Sequence, residues 1–202
     1  MIIYRRMQHQ ENRGGAMDLQ ELLRGCEKSD RTAQAALFNL SKDGILHVCL
    51  RYSKNEEQAR QIFKETYLSI FSSISSKSQD QEFDDWLKTQ VINTAVQVLQ
   101  RNKQEYKIVS TANAQNPGLH PDTIPDTEIM QNMDSSDVLK AIQALSPAYR
   151  VVVNLHLIDN HSFRKISEKL DVAEVTIQMN FEKAMYQLRK NLVQLTTASR
   201  AE

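Results

Sequence analysis

The stretch from Ser162 to Leu192, SFRKISEKLDVAEVTIQMNFEKAMYQLRKNL, constrains the fold of this chain more than any other. Phe163, Ile166 and Leu170 recur at the spacing that places side chains on one helical face. Ser162 stands just ahead of them, with a hydroxyl able to accept from the free amides of a first turn. Asp171 marks the stop, since Asp tolerates a left-handed backbone at a helix end better than most non-glycine residues. Val172 fills the corner. A longer helix follows, with Phe181, Ala184, Met185, Leu188 and Leu192 on its stripe. A short helix, a turn of about four residues and a long helix predict a helix-turn-helix, whose second helix can enter a DNA major groove. The competing reading is an ordinary helical hairpin inside an all-α core.

The remaining sequence also favours helices. Among 202 residues there are only five Gly and four Pro, and good helix formers are plentiful. This length holds one large or two small domains. No apolar run reaches the roughly 18 residues of a membrane span, and no signal peptide is visible. Cys26 and Cys49 lie in apolar helical contexts without metal-ligand spacing. They read as buried free thiols of a reducing cytosol. Lys plus Arg and Asp plus Glu both total 25. A protein that binds DNA tightly by itself carries a stronger basic footprint than this.

Residues 1–16 show no hydrophobic period and read as a disordered tail or the product of a misplaced start, with Met17 as the true first residue. Short-helix spacing runs from Asp18 to Gly25. A second helix spans Asp30 to Arg51, with Asp30 as its cap and Gly44 expected to interrupt or bend it. A third, Asn55 to Ile74, carries the clearest period: Ala59, Ile62, Phe63, Thr66, Tyr67, Ile70 and Phe71. Ser72 to Gln81 reads as a loop, and a fourth helix runs from Phe83 to about Gln104. Beyond it, Pro117, Pro121 and Pro125 sit among Asp122, Asp126 and Glu128, with no Lys or Arg between Ile108 and Asp134. That composition predicts an extended acidic linker. Two helices, Ser136 to Leu145 and Ala148 to Ile158, are split by Ser146-Pro147, a cap followed by a helix-starting proline. The expected fold class is therefore all-α. Two small helical domains, 17–105 and 135–195, are joined by the linker 106–134, and 196–202 form a tail.

No constellation of residues suggests catalysis. His9, His47, His120, His156 and His161 are scattered without metal-ligand spacing, and neither a Gly-rich phosphate loop nor a nucleophile elbow is present. His47 and His156 read as core or boundary residues. No enzyme activity, cofactor or metal is expected.

Four segments, in this order, resemble the extracytoplasmic-function group of RNA polymerase sigma factors, over roughly Leu19 to Leu192. LLRGCEKSDRTAQAALFNL is similar to the family's opening helices. ARQIFKETYLSIF is similar to the segment that docks on the coiled coil of the polymerase β′ subunit. FDDWLKTQVIN matches F-x-x-W-L-x-x-I-A-x-N through Phe83, Trp86, Leu87 and Asn93. ALSPAYRVVVNLHLIDNHSFRKISEKL is similar to L-P-x-x-x-R-x-V-x-x-L…S-x-x-E-I-A-x-x-L, with Arg150, Val152, Leu155, Ile166 and Leu170 in place and Pro147 one position after the pattern's proline.

The resemblance implies a dissociable, non-catalytic subunit of bacterial RNA polymerase that directs promoter-specific initiation in the cytoplasm. Its partners would be the β′ and β subunits and promoter DNA. Many relatives are also held by an anti-sigma factor, a further partner class that no residue here specifies. Gln61, Lys64, Glu65, Tyr67 and Leu68 are the implied polymerase contacts. Trp86, Asn93, Arg101, Asn102 and Lys103 would lie at the −10 element, where stacking and cations hold melted single strand. Glu174, Thr176, Gln178, Met179, Asn180 and Lys183 would meet the −35 element. The chain departs from the family there: T-V-K-S-R is Thr176-Ile177-Gln178-Met179-Asn180, and the usual cap Ser is Ala173. The missing cap costs about 1 kcal/mol of local helix stability, and the missing cations remove phosphate contacts. Gln178 and Asn180 could each read adenine bidentately, whereas Met179 reads as packing. The thin basic character motivates one alternative, a degenerate sigma-like interaction protein that does not initiate; a second alternative, a free helix-turn-helix regulator, leaves the Phe83-Trp86-Leu87-Asn93 segment unexplained.

Overall fold

The computed structural model describes residues 18–78, 80–101 and 134–199, with the side chains of the last helix described as far as 195. The expected tail 1–16, and all of the expected linker except Asp134, lie outside them. Every regular element among the described residues is helical: α1 (Leu19–Glu27), α2 (Arg31–Tyr52), α3 (Glu56–Ser73), a 3₁₀ turn (Ile74–Ser76), α4 (Phe83–Arg101), α5 (Ser135–Gln143), α6 (Pro147–Val153), α7 (Phe163–Leu170) and α8 (Glu174–Ser199). Between α6 and α7, Asn154–Ile158 continue as a π-helical turn. The chain divides into two compact units, Met1–Cys49 with Glu56–Val98 and Leu50–Asn55 with Leu99–Glu202. The short segment Leu50–Asn55, placed by sequence in the N-terminal domain, thus clusters with the second unit.

In the first unit, Asp30 caps α2: its Oδ1 accepts from the amides of Thr32 (2.7 Å) and Ala33 (3.1 Å). The bonds from Ala33 and then Thr32 hold its carboxyl below the usual range. Helix α2 runs through Gly44 without the expected interruption. Leu37 and Ser41 are buried ahead of Gly44, and Ile45 and Cys49 behind it. Burial on both sides outweighs the roughly 1 kcal/mol helical cost of a glycine. At Gly25 the reason for glycine is contact, because a Cβ there would stand 2.5 Å from that of Ala33. The expected loop at Ser72 begins later, since α3 reaches Ser73 and the 3₁₀ turn buries Ile74. Cys26 and Cys49 are buried free thiols. Burial pushes the Cys49 thiol up to about 12, which leaves it inert as a nucleophile.

In the second unit, Ala141, Ile142 and Leu145 pack with Val153 and with Ala184, Leu188 and Leu192 of α8. Beside this apolar core lies a buried polar node. Arg150 is 2% exposed, and its guanidinium donates to the carbonyls of Ile142 (3.3 Å), Gln143 (2.7 Å), Leu145 (2.6 Å) and Tyr52 (3.2 Å). Three of these belong to the C-terminal end of α5 or follow it, where helical carbonyls lack intrahelical partners and a cation is favoured. Asn154 donates to the carbonyls of Arg51 and Arg150. Asp159 accepts two bonds from Arg51 (3.0 and 2.7 Å) and one from the Tyr52 hydroxyl (2.8 Å).

Removing one partner from such a buried pair typically costs about 3–5 kcal/mol. Asp159→Ala should therefore lower the stability of the full chain by about that amount in urea unfolding followed by circular dichroism. Glu168→Ala, which breaks an exposed pair with Arg164, should cost less than about 1 kcal/mol. Equal, small losses for both variants would show that the node is not a stabilising element.

Candidate nucleic-acid interface

Helix α7 begins where Ser162 predicts: its Oγ accepts from the Lys165 amide at 3.2 Å. It ends where Asp171 predicts, with φ 54° and ψ 49° in the left-handed region. The Val172 amide returns to the Ser167 carbonyl at 3.2 Å, closing the turn. Helix α8 then starts without a side-chain acceptor at Ala173; its carbonyl takes the amides of Thr176 (2.9 Å) and Ile177 (3.1 Å).

Two sets of contacts fix the rotation of α8. Ile177, Ala184 and Leu188 are buried on its inner face. An aromatic cluster fills the corner: His156 stacks on Phe163 at 4.0 Å between centroids, and Phe181 meets both rings edge-on at 4.7 and 5.4 Å. His156 Nδ1 is also hydrogen-bonded to the His161 carbonyl at 2.9 Å. This histidine packs at the boundary.

That rotation sorts the expected −35 residues. Glu174 and Gln178 are exposed, and Thr176, Met179 and Lys183 are half-buried. Asn180 is 1% exposed, and its Nδ2 donates to the Thr176 carbonyl at 2.7 Å. It offers nothing to a base edge and is withdrawn from the expected reading set. Its position, three residues from Ile177 and four from Ala184, places it on the buried stripe. Counting helical phase from those residues would have revealed this; alignment to the family motif hid it.

Sequence reasoning missed Val175, 56% exposed in the first turn of α8. It also passed over the cations of α7. Arg164 and Lys165 are exposed, and Arg164 pairs with Glu168 at 3.2 Å. Lys169 is half-buried, and burial, then the neighbouring Lys165, lower its pKa. In a helix-turn-helix the first helix crosses the DNA backbone, so these cations sit on the element suited to phosphate.

The other expected residues that are described lie in the first unit, except Arg101, which belongs to the second. Gln61, Lys64 and Leu68 are exposed along one face of α3, with Glu65 half-buried and accepting from Gln61 at 3.2 Å. Tyr67 is turned inward, 7% exposed, with its hydroxyl 2.8 Å from Ser41 Oγ. Burial pushes that hydroxyl up to about 12. Trp86 is likewise in the core, 4% exposed and stacked on Phe83 at 6.1 Å. Neither ring is presented at the surface, so the contact roles expected of them are not available in this conformation. On α4, Asn93 is half-buried and Arg101 exposed; Asn102 and Lys103 lie outside the described residues. Among the described residues no group of three or more His, Cys, Asp or Glu is placed to hold a metal ion, and no helix is long and apolar enough to cross a membrane.

Comparison with known proteins covers both units. Residues 135–188 match the family described as Sigma-70, region 4. Over 182 residues, 87% of this chain and 97% of the relative, the chain is 23% identical to the ECF RNA polymerase sigma factor SigW of Bacillus subtilis (strain 168). Similar solved structures include the sigma factor RpoE in complex with the anti-sigma factor NepR from Bartonella quintana. That match has a TM-score of 0.45 and 17% identity, covering 78% of this chain and 95% of the other. CnrH in complex with the cytosolic domain of CnrY matches with a TM-score of 0.43 and 13% identity, covering 88% and 96%.

The cap at Ser162 gives a local test of the motif. Ser162→Ala should cost about 1 kcal/mol in unfolding free energy, and Ser162→Asp, which keeps an acceptor, should restore most of it. Unchanged unfolding midpoints for both would show that this bond does not hold the start of α7.

Proposed function

We infer that this chain is an RNA polymerase sigma factor of the extracytoplasmic-function group, a subunit that directs transcription initiation at particular promoters. One observation carries the reading: the region 4 match, residues 135–188, runs from α5 into α8 and so takes in the helix-turn-helix of α7 and α8. The first two turns of α8 present Glu174, Val175 and Gln178 outward, as a helix reading a groove requires. Likeness to a sigma factor over 87% of the chain supports extending the reading to the first unit.

In this reading the protein is a non-catalytic, cytoplasmic subunit. The exposed face of α3, with Gln61, Lys64 and Leu68, docks on β′, and Glu65 lies at the edge of that contact. Arg101, at the end of α4, lies toward the −10 element. Helix α8 meets the −35 element while the cations of α7 take phosphates. An anti-sigma factor is a further partner of the class the family uses. Weak DNA affinity of the free chain suits the role, because a module held on polymerase meets its second DNA site at high effective concentration.

The absence of Lys and Arg from Glu174 to Glu182 favours one alternative, a sigma-like protein that occupies polymerase without initiating. The two readings separate in reconstituted transcription with core polymerase on fragmented genomic DNA, with start sites mapped by sequencing. Discrete new starts sharing paired −35 and −10 sequences are expected. Polymerase binding without new starts would replace the sigma reading with the alternative, and no polymerase binding would remove both.

A further inference from the structure

Resting on the sigma-factor reading, we propose that Gln178 and Val175 are the pair that reads the −35 bases, Gln178 taking an adenine and Val175 an adjacent thymine. The buried stripe Ile177, Asn180, Ala184 and Leu188 fixes the rotation of α8. The opposite side begins with Val175 and Gln178 and continues through Glu182, half-buried, to Tyr186, which is 64% exposed. Val175 and Gln178 are one turn apart, so their side chains lie side by side. Both sit in the N-terminal turns, the part of a recognition helix that contacts base edges.

Their chemistry selects among bases. A Gln amide offers one donor and one acceptor in the geometry that matches N7 and N6 of adenine. A valine offers only methyl groups, and the one methyl in the major groove belongs to thymine. Guanine is read mostly by Arg or Lys at O6 and N7, and from Glu174 to Glu182 this helix has neither. A single exposed valine is unremarkable on a protein surface. Here, however, it lies in the first turns of α8, next to the amide of Gln178, which the burial pattern leaves outward there. Asn180, equally able to read adenine by residue type, spends its amide on the Thr176 carbonyl.

The test uses holoenzyme reconstituted from core polymerase and the full chain, bound to duplexes with a randomised −35 segment and sequenced after selection. Wild type should enrich adenine and thymine at neighbouring positions. Gln178→Ala should reduce the adenine preference about tenfold at one position, the scale of one lost bidentate pair. Val175→Ala should weaken the thymine preference at the next, and Gln178→Arg should move selection toward guanine. Both sites are exposed, so the fold, checked by circular dichroism, should survive these changes. Asn180→Ala should destabilise the chain and leave the profile unchanged. Wild-type profiles from Gln178→Ala and Val175→Ala, with wild type still selective, would overturn the proposal and leave the sigma reading standing. A polymerase-bound wild type that selects no sequence would overturn both.

Discussion

The guanidinium of Arg150 is the constraint on which the second unit depends. A permanently charged group that is 2% exposed can be tolerated only if its donors are matched. The acceptors are main-chain carbonyls around the end of α5 and one from Tyr52. A carbonyl has no freedom to rotate away as a side chain has, so the guanidinium fixes where α5 ends and where α6 begins. Asn154 and Asp159 extend the same logic along the π turn, binding the Arg51 carbonyl, the Arg51 guanidinium and the Tyr52 hydroxyl. Polar networks of this kind specify geometry more sharply than apolar packing, because a displacement leaves buried groups unsatisfied.

From this base the helix-turn-helix is set by shape. The stack of His156, Phe163 and Phe181 locks the corner, and the inner stripe of α8 locks its rotation. Rotation decides which side chains of α8 face outward, since residues on the inner face are withdrawn whatever their chemistry. Asn180 illustrates the point: its amide satisfies a carbonyl one turn back. The same rotation brings Val175 outward, although residue type alone gave no reason to single it out.

Charge is divided unusually between the two helices of the motif. The first turns of α8 carry an acid and no cation, while α7 carries Arg164, Lys165 and Lys169. Phosphate contacts supply affinity and its salt dependence, whereas base edges supply choice. A reading helix of low positive charge adds little non-specific attraction. In the sigma-factor reading proposed above, polymerase would deliver such a module to its DNA.

The sequence by itself determined the elements and their ends. Ser162, Asp171, Asp30 and Pro147 act within one turn of their own position, and their cap and turn geometry follows from local chemistry. Apolar periods likewise located the helices, and the ordered motifs carried the resemblance to sigma factors. Gly44 failed as a breaker because its cost is local while the burial around it is tertiary. Tyr67 and Trp86 were expected at contact surfaces from the motifs they belong to, yet their large rings pack inward. Only the tertiary structure decided those orientations, the withdrawal of Asn180, the exposure of Val175 and the capture of Leu50–Asn55 by the second unit. The reason is one of range. Caps and periods are set by neighbours a few residues away, whereas a side chain's direction depends on which distant groups it must satisfy or bury against.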